Sequence, residues 1–253
     1  LGPGRINPFT GKRRQAVVRG RERARELNMA QIRLEKNEAL PGIVADYVAN
    51  VIASSIEQKG HCYCALSGGS SPKSMLAELA KQPLPWEQVT LLMVDERFTT
   101  DKSQQNETML RDFVNSIPGG KPALIALLSD TSLDAAIAAA NNTVAQIPGA
   151  LDIAVLGMGL DGHTASLFPD STDYQMAMTS SDHYVKVVPG AAPHPRISMS
   201  YHWLLTVKNL VLYIPGRDKL DCYRHLVANP DALSPITSLT SQANNLTVFS
   251  SED

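Results

Sequence analysis

The residues best suited to chemistry are Asp161 and His163, two positions apart in the stretch Leu151 to Pro169, LDIAVLGMGLDGHTASLFP. A neutral imidazole with an ordinary pKa of about 6.5 can take a proton from water. A carboxylate beside it can orient the ring and favour the cation that results. Leu151, Ile153, Ala154, Val155 and Leu156 form a short apolar run, as in a parallel strand covered on both faces. Gly157, Gly159 and Gly162 let the next turn bend sharply and admit a ligand. Thr164 or Ser166 stands where a helix could open. In open α/β sheets chemistry gathers at the carboxyl ends of strands. His61, His183, His194, His202 and His225 lack such a setting and read as structural or surface groups.

Three further clusters could serve that pair. Ser67-Gly68-Gly69-Ser70-Ser71-Pro72 follows an apolar run and precedes a helical pattern. Exposed N–H groups at such a turn favour an anion, and Gly68 and Gly69 let it approach. The pattern is neither GxxxxGK[ST] nor GxGxxG, and a plain connection with a capping serine is the competing reading. Asp95-Glu96-Arg97 ends the most apolar strand pattern. Its guanidinium suits phosphate or carboxylate, and the two acids could hold it in place or contact sugar hydroxyls. Arg196 lies in PRISMS, and Lys219 in GRDK at an expected helix start. A cation there opposes the helix dipole, so an anionic partner would explain it, as would solvent exposure.

The chain has no GxSxG elbow, no HExxH and no Cys/His cluster with metal spacing. Water is then the expected attacking group. Water activated by His alone suffices for a reactive electrophile such as a strained or activated ester.

Hydrophobic periodicity shows how these residues are positioned. It predicts strands over 31–35, 61–66, 89–94, 123–128, 151–156, 184–188, 196–200, 210–214 and 246–249. It predicts helices over 38–56, from Pro72 to about Ala80, and over 106–114, 132–146 and 216–228, with another after 200. Strand–helix alternation implies an α/β fold, a Rossmann-like open and mostly parallel sheet with helices on both faces.

Bulk properties narrow the class. The formal net charge of −2, 43% apolar content and 19% charge suit a soluble globular chain and give no reason to expect nucleic acid. Residues 1–28 nevertheless carry eight Lys or Arg against Glu22 and Glu26. They read as a basic appendage, an expression tag or upstream sequence, with a charged helix over 13–28 and Met29 as a plausible start. The domain is expected over 29–253. Cys62, Cys64 and Cys222 are sparse and odd in number. Cys62 and Cys64 face one side of a strand and cannot easily bridge, so all three read as buried packing in a reducing compartment. No apolar run is long enough for a membrane span, and a cytoplasmic protein, monomeric or a small homo-oligomer, is expected.

Taken together, SGGSSP (67–72), VDER (94–97), Ser103 and Asn106, GMGLDGHTASLFP (157–169), PRISMS (195–200) and GRDK (216–219) resemble the glucosamine-6-phosphate isomerase/6-phosphogluconolactonase family, on its lactonase side. The resemblance runs from about Met29 to the C-terminus, with all motifs in order. It implies hydrolysis of 6-phospho-D-glucono-1,5-lactone in the pentose phosphate pathway, with no metal and no organic cofactor. It makes His163 the general base, Asp161 its partner, and Gly68, Gly69 and Ser70 a phosphate- and sugar-contacting turn. Arg97, Arg196 and Lys219 become phosphate or oxyanion ligands, not apportioned among the three. Ser71 stands where Thr is common, which keeps the hydroxyl. The related deaminases continue GHIAFNEP, with an acid before the proline. Here Thr164-Ala165-Ser166-Leu167-Phe168-Pro169 has none. A deaminase and a non-catalytic sugar-phosphate sensor are the alternatives.

Overall fold

Alternation of short apolar runs with amphipathic segments builds one parallel sheet. In the computed structural model, residues 30–129, 132–229 and 234–253 are described. The appendage 1–28, its expected helix over 13–28, and Met29 lie outside them. Seven strands pair in parallel: β1 (Gln31–Glu35), β2 (Cys62–Leu66), β3 (Val89–Met93), β5 (Ala123–Leu124), β6 (Ile153–Leu156), β9 (Leu210–Ile214) and β10 (Leu246–Ser251). Their order across the sheet is β1-β10-β9-β6-β2-β3-β5. Every residue of β6, β9 and β10 is buried, so side chains on both faces of the sheet are covered. Each buried Val, Leu or Ile there contributes about 1.5–3 kcal/mol relative to exposure.

The crossovers explain where a ligand can sit. From β2 the chain winds outward through β3 to β5, then returns to place β6 on the other side of β2. The loops after β2 and β6 therefore diverge from adjacent strands and leave a crevice at their carboxyl ends. The crossover helices are α1 (Leu40–Lys59), α2 (Lys73–Leu79), α3 (Asn106–Ser116) and α4 (Leu133–Val144). In α1, Leu40, Val44, Ala45, Val48, Ala49 and Ile52 form the buried stripe, and Gly60 ends the helix at φ +78°.

The second sheet has no signature in the periodicity. The expected strand over 89–94 divides at Val94, whose N–H bonds Leu66 O at 3.0 Å while its carbonyl accepts from Met199 N at 2.9 Å. Beyond it β4 (Asp95–Arg97) leaves the parallel sheet and pairs antiparallel with β8 (Arg196–Met199), which pairs with β7 (Tyr184–Val187). Tyr184 Oη donates to Met93 O at 2.6 Å and ties the two sheets together.

Other differences are local. Strand 123–128 contracts to two residues, Ala123–Leu124. No helix opens at Thr164 or Ser166: Leu167 N bonds Thr164 O at 3.0 Å and closes a turn with Ala165 at φ +51°. The next helix is the short α5 (Tyr174–Thr179). After α6 (Tyr201–Thr206) and α7 (Arg217–Ala228) comes α8 (Pro235–Gln242), which the Ser/Thr-rich sequence conceals although Ser234 and Pro235 mark its start. No described helix is long and apolar enough to cross a membrane.

Candidate active site

The glycine turn after β6 folds back on itself. Gly159 N bonds His163 O, and Gly162 N bonds Gly159 O, each at 3.0 Å. This brings Asp161 Oδ1 within 2.6 Å of His163 Nδ1. That hydrogen bond holds the Asp161 carboxyl below its ordinary range, against partial burial. A Cβ at Gly159 would lie 2.4 Å from both Asp161 Oδ1 and the imidazole, so the pair occupies the space that glycine vacates. On its other side the imidazole stacks on Phe168, with centroids 4.1 Å apart and planes 30° from parallel.

The turn after β2 lies alongside. Ser67 N bonds Val155 O at 3.0 Å, which fixes the turn to β6. Gly69 has φ +93°, and a Cβ on Gly68 would fall 1.9 Å from Asn106 Oδ1. Both glycines are therefore needed, one for conformation and one for close approach. Lys219, in the first turn of α7, donates to Ser71 Oγ at 3.0 Å. Half-burial pushes its ammonium pKa down.

The antiparallel sheet supplies the remaining cations. Arg97 and Arg196 face each other in register across β4 and β8. Arg97 Nη1 donates to Gln104 O at 2.8 Å, and Arg196 Nη2 donates to Pro193 O at 3.0 Å. The Nε of each is buried without a hydrogen-bond partner among the described residues. Arg196 is 6% exposed, and its guanidinium stands 5.7 Å from the Phe168 ring centroid. Burial lowers its pKa, and neighbouring Arg97 lowers it further, while Asp95 opposes the shift. Two guanidiniums held side by side with unspent donors form a receptor for an anion.

One cavity of about 320 Å³ brings these parts together. It is lined by Gly68, Gly69, Ser70, Arg97, His163, Arg196 and Lys219. Asp161 stands behind His163 and does not line it. Among the described residues no group of three or more His, Cys, Asp or Glu is placed to hold a metal ion.

The model of the glucosamine-6-phosphate isomerases/6-phosphogluconolactonase family matches residues 35–248. The chain belongs to that family. It is 32% identical to the 6-phosphogluconolactonase of Rhizobium meliloti (strain 1021), over 83% of this chain and 92% of the relative. The 6-phosphogluconolactonase of Pseudomonas putida is also 32% identical, over 77% of this chain and 81% of its own. The crystal structure of a 6-phosphogluconolactonase from Shewanella baltica superposes with a TM-score of 0.84 at 26% identity, covering 89% of this chain and 99% of that one.

In this member of the glucosamine-6-phosphate isomerase/6-phosphogluconolactonase family the cavity wall holds residues that sequence reasoning leaves unassigned. Phe168 carries the imidazole. Asn106, marked in the sequence only by its motif, fills the space under Gly68 and donates to Asp95 O at 2.9 Å. Asp95, expected to hold Arg97 or contact sugar hydroxyls, has Oδ2 accepting from Ser166 Oγ at 2.5 Å, which joins β4 to the His163 turn. Only the pairing of distant strands reveals that contact.

A second cavity of about 390 Å³ lies at the amino ends of the strands, around Asp152. Its charges are spent on one another: Lys59 and Lys208 reach Asp152 at 2.8 and 3.1 Å. Tyr63 N also donates to that carboxylate, at 2.9 Å. It is a structural clamp, larger than the His163 cavity but without its free donors. Cys62 and Cys64 are buried and free, and desolvation pushes Cys62 up to about 12. Cys222 departs from expectation: it is only half-buried, and its Sγ donates to Leu160 O at 3.2 Å.

Proposed function

We propose that the His163 cavity opens 6-phospho-D-glucono-1,5-lactone with a water molecule that His163 activates. The chain is a hydrolase of the pentose phosphate pathway, in line with its lactonase relatives. The observation that carries the mechanism is the 2.6 Å contact of Asp161 with Nδ1. It directs Nδ1–H to the carboxylate and leaves Nε2 as the basic nitrogen.

The substrate phosphate docks on Gly68, Gly69, Ser70 and Lys219, because Lys219 is tied to Ser71 of that turn. The lactone carbonyl points to Arg196, since Arg196 and the imidazole share Phe168, while Arg97, whose backbone Glu96 ties to Asn106 beneath Gly68, faces the phosphate. Nε2 takes a proton from water as its oxygen bonds to C1. The carbonyl oxygen gains negative charge against the Arg196 guanidinium. The C1–ring-oxygen bond then breaks, and the imidazolium returns the proton to the leaving oxygen. The product is 6-phosphogluconate, whose new carboxyl ionises in solution. No cofactor takes part in this scheme, and Asp161 stays ionised throughout.

A coupled assay with freshly generated lactone, corrected for spontaneous hydrolysis, tests this. Turnover well above background is expected; ammonia release from glucosamine 6-phosphate, or binding of 6-phosphogluconate without hydrolysis, would overturn it. Residues 29–253 carry the activity in this reading, and deleting 1–28 is expected to leave turnover and the urea-unfolding midpoint unchanged. The free cysteines fit a reducing cytoplasm.

A further inference from the structure

Glu96 is fully buried in β4, between Asp95 and Arg97. It does not line the cavity, and it holds no cation: none of the ion pairs among the described residues includes it. Its carboxylate is occupied entirely by backbone. Oε1 accepts from Arg97 N at 2.6 Å and from Asn106 N at 2.7 Å, and Oε2 accepts from Glu107 N at 2.7 Å. These donors flank both ends of the loop 98–105. Asn106 and Glu107 are also the first residues of α3, whose N-cap Gln105 makes no side-chain cap bond.

A helix that needed only a cap could take Ser or Asp at the exposed N-cap position. A fully buried carboxylate is a costly substitute, because its desolvation must be offset by hydrogen bonds alone. What distinguishes Glu96 is what its donors carry. Arg97 lines the cavity. Asn106 occupies the space where a Cβ of Gly68 would be. One rigid group therefore sets the position of a cation relative to the glycine turn.

We infer that Glu96 is a positioning residue, which locks Arg97 and the Gly68–Gly69 turn at the spacing a phosphorylated substrate needs. The inference rests on the reading of the cavity as a sugar-phosphate lactonase site. Glu96→Gln removes the charge and puts an amide N–H where one backbone donor now points.

The test is a double-mutant cycle of Glu96→Gln and Arg97→Ala, read as kcat/KM on the lactone and as affinity for inorganic phosphate by calorimetry. Glu96→Gln should lower both by about tenfold or more in the parent, yet less than about twofold once Arg97 is gone. Equal losses in the two backgrounds, or no loss in the parent, would overturn the inference, since a purely structural group acts independently of Arg97. If Glu96→Gln does not fold, Glu96→Asp keeps the charge but shortens its reach, and the same non-additivity is expected. A parent that binds phosphate but turns over no lactone would sink the proposed function instead, and the calorimetric cycle would still judge Glu96.

Discussion

Asp161 Oδ1 meets His163 Nδ1 at 2.6 Å across the space left by Gly159. In the proposed mechanism the contact holds Nδ1–H toward the carboxylate and leaves Nε2 for water. His163→Ala should therefore lower kcat by about 10²–10⁴-fold with little change in KM. Asp161→Asn leaves the base but not its orientation, so its loss in kcat should be smaller. Stopped-flow turnover above the spontaneous rate measures both. A His163→Ala enzyme near parental turnover would remove the general-base role.

Lys219 and Arg196 should separate kinetically. Lys219 belongs with the glycine turn through Ser71, whereas Arg196 shares Phe168 with the imidazole. Lys219→Met is expected to raise KM about tenfold or more while kcat changes less, because in the proposed docking it removes a phosphate contact made throughout the reaction. Arg196→Met is expected to act mainly on kcat, by about 10²-fold, as loss of an oxyanion donor does. The reverse pattern would exchange the two roles.

Much of this site is legible in the chain, because the chemistry sits in contiguous turns. SGGSSP and GMGLDGH each carry their glycines and polar groups within a few residues, and the strands before them read as apolar runs. The parallel sheet follows from the alternation, and Leu210–Ile214 has the bounds expected. What stays hidden depends on partners far apart in sequence. Nothing near Asp95 shows that β4 leaves one sheet for another, since its partner is Arg196–Met199. The apolar run over 89–94 therefore reads as one strand. Ala165 at φ +51° is a conformation usually reserved for glycine, held here by Ser166, whose N–H bonds Ser198 Oγ at 3.1 Å. Tertiary contact overrides the local helix signal of Thr164 and Ser166.

The close approach at Gly68 gives a steric prediction. Gly68→Ala would place a methyl 1.9 Å from Asn106 Oδ1, and that side chain is itself held by the Asp95 carbonyl. Either the turn or Asn106 must move, so phosphate affinity should fall about tenfold or more, while global stability falls by about 1–3 kcal/mol. Gly42→Ala is the control: it lies in α1, away from the cavity, and its Cβ would meet nothing within 4 Å. Calorimetry with inorganic phosphate on both variants decides the matter, and equal affinities would show that the turn tolerates the shift.

Glu96 should also make stability and activity diverge with pH. Burial pushes its carboxyl up to about 7, although three backbone N–H groups pull it down. In the unfolded chain it returns to about 4.3. The native state thus binds this proton more tightly than the unfolded state. The stabilisation is fully present below about pH 4 and is lost as pH rises through about 7. By pH 8 the loss is on the order of 3 kcal/mol, because the site then holds an ionised, buried carboxylate. Turnover should follow the opposite course over the same interval, since on this reading it needs Glu96 ionised. Urea unfolding of the parent and of Glu96→Gln at constant ionic strength, from pH 5.5 to 8, isolates the effect, because the other titrating groups are common to both. The parent should lose about 2 kcal/mol more than the variant across that range; parallel curves would mean that the carboxyl titrates in the fold as it does in the open chain.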